Sequence, residues 1–245
     1  KVYRKVTGEG NYKCVATVKG ASYTDKNVKK GVKYSYTVKA YKGKVVSECK
    51  KSTSYVGIIL ATPSVTAKNA TTGMKITWKA INGAEKYKIY RADYDAKAKK
   101  WLSYETIETV EAKTLSYTDK GVTSGEKYKY KVKAYNGKCK SSTKATSTAL
   151  YVASTKTTVT NKESGINVSW TKVRGAEKYK VYRMEYDVSA GKWSSAEVIT
   201  TVSSKTLSYH DKSVEDGRTY KYRVRAIKGK TYSSYKTTGE ITYTK

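Results

Sequence analysis

Phenylalanine is absent from this 245-residue chain, proline and histidine occur once each, and cysteine three times. Each shortage removes a class of explanation. A lone His210 excludes most histidine-based catalysis. Cys14, Cys49 and Cys139 are odd in number and show no CxxC or Cys/His spacing, so neither a disulfide framework nor a zinc site is indicated. That alone does not assign the cytosol, because domains of this size fold on a packed core without cross-links. No run of 18 apolar residues exists, so no helical membrane span is expected. The opening Lys1-Val2-Tyr3-Arg4 carries no initiator Met and no hydrophobic signal segment, so the sequence reads as an internal or processed piece. Acids are also scarce. Twenty Asp plus Glu against fifty Lys plus Arg leave a formal charge of +30, which attracts anionic polymers and surfaces at low salt. Only seven of the cations are Arg, the residue suited to bidentate contacts, so specific nucleic-acid recognition is not expected. Lysines spread along strands serve solubility, and that reading is preferred to a dedicated anionic partner.

What the chain does have is repetition. SYTDKNVKKGVKYSYTVKAYKGK at 22–44 returns as SYTDKGVTSGEKYKYKVKAYNGK at 116–138 and as SYHDKSVEDGRTYKYRVRAIKGK at 208–230. Between the last two copies the match continues without a gap at an offset of 92: Trp78 falls on Trp170, GAEKYK at 83–88 on GAEKYK at 175–180, and Trp101 on Trp193. Whole units have been copied in tandem.

Within each unit apolar residues alternate. In KITWKAI, Ile76 and Trp78 share one side; in KYKYKVKAY, Tyr128, Tyr130, Val132 and Ala134 share one side and Lys129, Lys131 and Lys133 the other. Period two means strands with one buried face, and a helix would scatter both sets. Tyr, Val, Thr and Ile dominate, with turns marked by Gly83, Gly125 and Gly137. Several short strands per unit with turns between them predict an all-β fold of antiparallel sandwiches.

These residues resemble tandem fibronectin type III domains of the bacterial, extracellular kind. The resemblance rests on Trp78 and Trp170 on the second strand, on Tyr87-Lys88-Ile89 and Tyr179-Lys180-Val181 on the third, and on an apolar residue six before a Tyr: Val28/Tyr34, Val122/Tyr128, Val214/Tyr220. It implies seven-stranded, immunoglobulin-like sandwiches in an extended array, with Trp78 and Trp170 in the core. It also implies tyrosine-corner roles for Tyr34, Tyr128 and Tyr220, their hydroxyls bonding backbone just upstream. Two departures stand out. Pro63 is alone where the family commonly carries several prolines, so Lys must protect the edges; and every Tyr replacing a Phe brings a hydroxyl that needs a partner if buried.

The register delimits a partial unit over 1–60, lacking its first two strands and the core Trp, and complete units over 61–152 and 153–245. The partial unit has three readings: the visible part of a longer polypeptide, which is preferred; a deliberate cut; or a sandwich completed by strands of another chain. The short junctions GIILATPSV and ALYVASTKT predict limited bending between units.

No catalytic set is found. Asp93 and Asp95 lack the spacing of a calcium loop. Asp25, Asp119 and Asp211 precede the corner, where Asp accepts backbone bonds in a turn. His210 replaces Thr24 and Thr118 of the sister units and reads as a surface residue, and the free thiols are expected buried or half-buried. One constellation bears on binding. Tyr90 and Tyr182 face outward beside Lys131, Lys133, Arg223 and Arg225, with Trp101 and Trp193 extending the platform. Such a face is able to stack on sugars or hold an anionic wall polymer, or its Lys stems simply cover the rings. The expected role is a non-enzymatic structural, spacer or adhesion array, extracellular, needing no cofactor or metal. Its partners are flanking domains of a longer polypeptide, with self-assembly left open; the alternative role is recognition of a polysaccharide or anionic wall polymer.

Overall fold

A computed structural model describes residues 1–48 and 57–245, all strand, turn and loop with no helix among them. The partial unit contributes β1 (Val2–Val6), β2 (Lys13–Ala16), β3 (Lys33–Val38), β4 (Tyr41–Lys42), β5 (Val45–Val46) and β6 (Gly57–Ile58). The middle unit runs β7 (Val65–Ala70), β8 (Gly73–Trp78), β9 (Lys86–Asp95), β10 (Lys100–Trp101), β11 (Glu105–Glu111), β12 (Ser116–Asp119), β13 (Lys127–Asn136), β14 (Cys139–Lys140) and β15 (Ala149–Leu150). The last repeats it as β16 (Thr157–Lys162), β17 (Gly165–Trp170), β18 (Lys178–Asp187), β19 (Lys192–Trp193), β20 (Glu197–Ser203), β21 (Ser208–Asp211), β22 (Thr219–Lys228), β23 (Thr231–Tyr232) and β24 (Ile241–Thr242).

Every pairing is antiparallel. In the middle unit a three-stranded sheet, β12-β8-β7, faces a six-stranded one built on β10-β9-β13-β14 with β11 and β15 at its margins; the last unit has the same two sheets. The expected seven strands are present with two differences: a short arm, β10 or β19, hairpins onto β9 or β18, and the final strand is broken in two. Ser141 Oγ accepts from Ala134 N and Thr146 Oγ1 from Tyr130 N, so side chains replace part of the backbone ladder along β13. The last unit repeats the break with Ser233 and Thr238.

Alternation decides the core. Ile76, Trp78, Tyr130, Val132 and Ala134 are buried in the middle unit, and Ile166, Val168, Trp170, Tyr222, Val224 and Ala226 in the last. Trp78 packs on Tyr87 with ring centroids 5.5 Å apart, and Trp170 on Tyr179 at 5.6 Å. A core filled with Tyr in place of Phe must satisfy its hydroxyls. Tyr87 accepts from Ile81 N and Tyr179 from Val173 N, Tyr130 and Tyr222 donate to carboxylates, and Tyr243 donates to Glu163 O.

The partial unit has the sheet β2-β1-β3-β6 and the β4-β5 hairpin, with no second sheet over it among the described residues. Its apolar side opens on a cavity of about 540 Å³ lined by Val2, Val18, Val28, Tyr34, Tyr36 and Ile58. The expectation of buried or half-buried thiols needs correction at Cys14. It is exposed, because β2 is an edge strand and Cys14 falls on its outer side. Cys139 is half-buried at β14, and Cys49 lies outside the described residues.

Candidate functional site

The corner before β3, β13 and β22 is built the same way in all three units. Lys29 N, Thr123 N and Glu215 N donate to the hydroxyls of Tyr34, Tyr128 and Tyr220 at 2.9, 2.8 and 3.0 Å. Each hydroxyl therefore accepts from the amide five residues upstream and ties the loop to the strand that follows. Tyr220→Phe keeps the ring and orphans that amide, so it is expected to cost about 1–3 kcal/mol. A thermal melt showing no loss in the last unit would contradict the assignment.

Beside each corner lies a cluster that the sequence did not reveal. Asp211, fully buried, accepts from Tyr222 Oη at 2.9 Å, from Ser213 N and Oγ at 3.1 and 2.7 Å, and from Arg183 at 3.1 Å. Asp119 repeats this with Tyr130, Gly121 N and Arg91, and Asp25 with Tyr36, Asn27 N and Arg4. The turn bonds expected of these Asp residues are present, but the buried Arg–Asp–Tyr contact is the larger feature. Burial pushes the Asp211 carboxyl up. The bonds from Ser213 and Tyr222 and the charge of Arg183 outweigh it and hold the group below its ordinary value. Burial, and then the neighbouring carboxylate, pushes the Tyr36 hydroxyl up to about 12. These Asp residues are structural anchors; their acceptor sites are occupied from within the unit.

The opposite surface of the six-stranded sheets carries the predicted platform. Tyr90, Tyr182, Trp101 and Trp193 are half-buried, each with a ring in contact with a side chain on the same face. Tyr90 Oη lies 3.0 Å from Tyr135 Oη. Lys129 Nζ stands 4.3 Å from the Trp101 centroid, Lys131 3.6 Å from Tyr104, and Lys221 4.0 Å from Trp193. Arg223 stands 5.4 Å from Tyr182. Across the strand pair, Lys88 sits opposite Lys133, and Lys180 opposite Arg225. On their other side Lys88 and Lys180 meet Thr109 and Thr201, so no acid is interposed in register. Cations and rings thus alternate on this face, and most of the rings have a cation against one side.

A third feature lies where the units meet. Gly125 and Gly175 approach so closely that a Cβ on Gly175 would stand 3.0 Å from Gly125 Cα. Between the first two units, a Cβ on Gly83 would stand 2.9 Å from Gly31 O and 2.5 Å from Ile58 Cδ1. Around the second joint Ser124 Oγ donates to Arg174 O at 2.8 Å and Lys228 Nζ to Gly125 O at 2.9 Å. Asn69 bridges the units, donating to Tyr232 O at 3.1 Å and accepting from Val152 N at 3.4 Å. Gly83 and Gly125 are legible in sequence as turn residues. Their contact with a neighbouring unit is not, since it depends on how two folded units dock.

The remaining chemistry-bearing residues are not brought together. His210 lies on β21 with Nε2 3.1 Å from Ser164 Oγ. Asp93 pairs with Arg91, and Asp95 accepts from the backbone of its own turn. Among the described residues no three His, Cys, Asp or Glu gather as a metal site.

Residues 154–242 match a family model described as fibronectin type III domain, SaeA third domain. Solved structures that match include a two-domain fibronectin type III segment of chicken tenascin, at 16% identity over 75% of this chain and 98% of that one, TM-score 0.38. Another holds the FN1–FN3 domains of chicken CNTN1, at 19% identity over 100% and 91%, TM-score 0.33. A third is the chicken interferon gamma receptor alpha chain, at 12% identity over 74% and 98%, TM-score 0.43. No curated protein matches the chain by sequence.

Proposed function

We propose that this chain, whose residues 154–242 match a fibronectin type III model and whose middle unit repeats that pattern, serves as a non-catalytic spacer that holds neighbouring parts of an extracellular bacterial protein at set distances. The observation that carries this reading is the joint. A flexible linker would leave each unit free, whereas here glycines of successive units touch backbone to backbone and side chains including Asn69, Ser124 and Lys228 bond across the second junction. The same contact recurs at both junctions, as a device that fixes spacing requires. The buried carboxylates are committed to Arg and Tyr partners, which leaves little for acid–base chemistry and further supports a structural role.

The test is to wedge the joint. Gly175 has φ +75° and no room on its Gly125 side, so Gly175→Val should separate the last two units. The left-handed backbone itself adds strain of about 1–2 kcal/mol, small enough for the unit to remain folded. Small-angle scattering should show a broadened distance distribution in the variant, while the melting transition of the last unit persists. Unchanged scattering in a folded variant would remove the fixed joint and the spacer reading with it. The extracellular placement is checked separately, by antibody labelling of intact source cells.

A further inference from the structure

The seven arginines fall into two groups. Arg4, Arg91, Arg174, Arg183 and Arg218 each have a carboxylate partner within the fold. Arg223 and Arg225 have none among the described residues, and they stand two apart on one face of β22. The Arg223 guanidinium lies 4.2 Å from the Tyr235 centroid and 5.4 Å from Tyr182; that of Arg225 lies 5.0 Å from Tyr232 and 5.5 Å from Tyr235. Arg225 Nε donates to Ser233 O at 2.9 Å, while Arg223 Nε is shielded from solvent with no acceptor. The Nη groups of both donate to no protein acceptor among the described residues.

This arrangement works against the fold's own interest. Arg225 faces Lys180 across the strand pair, and like charges directly opposite one another destabilise a sheet. A surface serving only solubility has no need to concentrate its two uncommitted guanidinium groups on a rack of three tyrosines. Stacking fixes each planar fork and leaves its N–H edge free, the geometry suited to bidentate binding of carboxylate or phosphate. Each ring carries a guanidinium against one side, which favours an anion over a neutral sugar there.

The rack also borders a cleft. Arg225, Tyr232 and Tyr235 line a cavity of about 460 Å³ whose other wall, from the middle unit, includes Lys68, Asn69 and Thr148. Its size is that of a ligand pocket at a domain interface, roughly 300–1,000 Å³, and no acidic residue lines it. An opposed cation pair recurs in the middle unit as Lys88 and Lys133, so the same anion-receptive pattern is built twice along the chain, which suits a polymer better than a single anion.

We propose that the cleft between the last two units binds an acidic polysaccharide. Arg223 and Arg225 take its carboxylate or phosphate oxyanions, Lys180 adds to the field, and Lys68 faces the chain from the other wall. The site goes beyond the spacer role and shares with it only the joint that brings the two walls together; the arginine variants test binding without altering that joint.

The experiment titrates the whole chain at 0.15 M NaCl with polygalacturonate, long-chain polyphosphate, neutral dextran and duplex DNA, read by calorimetry. Saturable binding of at least one of the first two and none of dextran is expected, and which one binds identifies the oxyanion. The double variant Arg223→Lys/Arg225→Lys keeps the charge and loses the forks; it should weaken binding at least tenfold. The triple variant Lys129→Gln/Lys131→Gln/Lys133→Gln removes three charges elsewhere on the face and should weaken it less than threefold. Tyr235→Ala, at an exposed position, should weaken it at least threefold with both arginines retained, and it carries the test should the arginine variant fail to fold. Absence of binding, or a larger loss in the lysine variant than in the arginine variant, overturns the proposal. So does duplex DNA binding more tightly than either polymer with the same dependence on Arg223 and Arg225.

Discussion

Gly165→Ala is expected to leave the last unit unfolded, or folded only with a loss of about 3–5 kcal/mol, while the middle unit melts normally. Gly165 opens β17 at φ +147°, with Asp211 of β21 alongside in register with Ile166. A Cβ there would stand 2.2 Å from Asp211 O and 3.0 Å from Asp211 C, both backbone atoms that cannot rotate away. Relieving the contact means parting β21 from β17 at the residue whose side chain anchors Arg183 and Tyr222. Overpacking of this kind costs about 1–3 kcal/mol, and the left-handed backbone a further 1–3 kcal/mol. Gly229→Ala is the control. Gly229 also has a positive φ, +55°, but nothing lies within 4 Å of its Cβ position, so only the backbone cost remains. Calorimetry should show the last unit's transition abolished or lowered far more in Gly165→Ala than in Gly229→Ala. Equal effects would mean that β17 and β21 yield easily and that the close approach is incidental. Gly73 repeats the contact on Asp119 O at 2.2 Å, so the same result is expected in the middle unit.

How far the sequence speaks for this fold depends on the kind of interaction. KYKYKVKAY shows its strand and its buried side directly, because side-chain direction in a strand is a local property with period two. Trp78, Trp170 and the three corner tyrosines are legible for a related reason, since the same residue recurring at the same place in successive copies cancels positional noise. Arg4, Arg91 and Arg183 were visible only as part of a repeated Tyr-Arg pair. Their role needs β9, β12 and β13, or the equivalent strands, to converge, and no local pattern states that. The second tyrosine of each corner strand, Tyr36, Tyr130 or Tyr222, carried a usable signal: a buried phenol two residues after the corner needs an acceptor, and the recurrent Asp is the one acid that all three copies of the stretch share. The splitting of the last strand and the exposure of Cys14 were lost for opposite reasons. Side chains of Ser141 and Thr146 override a ladder that propensity alone would continue, and an edge strand does not bury its outer side. The outer platform was legible as residue types. That most of its rings have a cation against one side is a property of distances.

Asp211→Ala is expected to destabilise the last unit by about 3–5 kcal/mol, the cost of removing one partner from a buried ion pair. At 4–8 °C per kcal/mol for a domain of this size, its melting temperature should fall by about 12 °C or more. Asp211 is 0% exposed and receives bonds from Tyr222, Ser213 and Arg183 at once, so its loss strands donors from a turn and from two strands of the opposite sheet. Asp211→Ala/Arg183→Met should recover part of the loss, since the remaining charge is then removed as well. The pH dependence has a fixed sign. The folded Asp211 titrates below its unfolded value of about 3.9, so its contribution is complete above that pH and fades as pH falls through the lower folded value. The stability gap between wild type and Asp211→Asn should therefore be constant from about pH 5 to 8 and narrow only in the acid range below 3.9. A gap that stays constant down to pH 2, or that widens there, would show that the ionised carboxylate is not what Arg183 and Tyr222 hold.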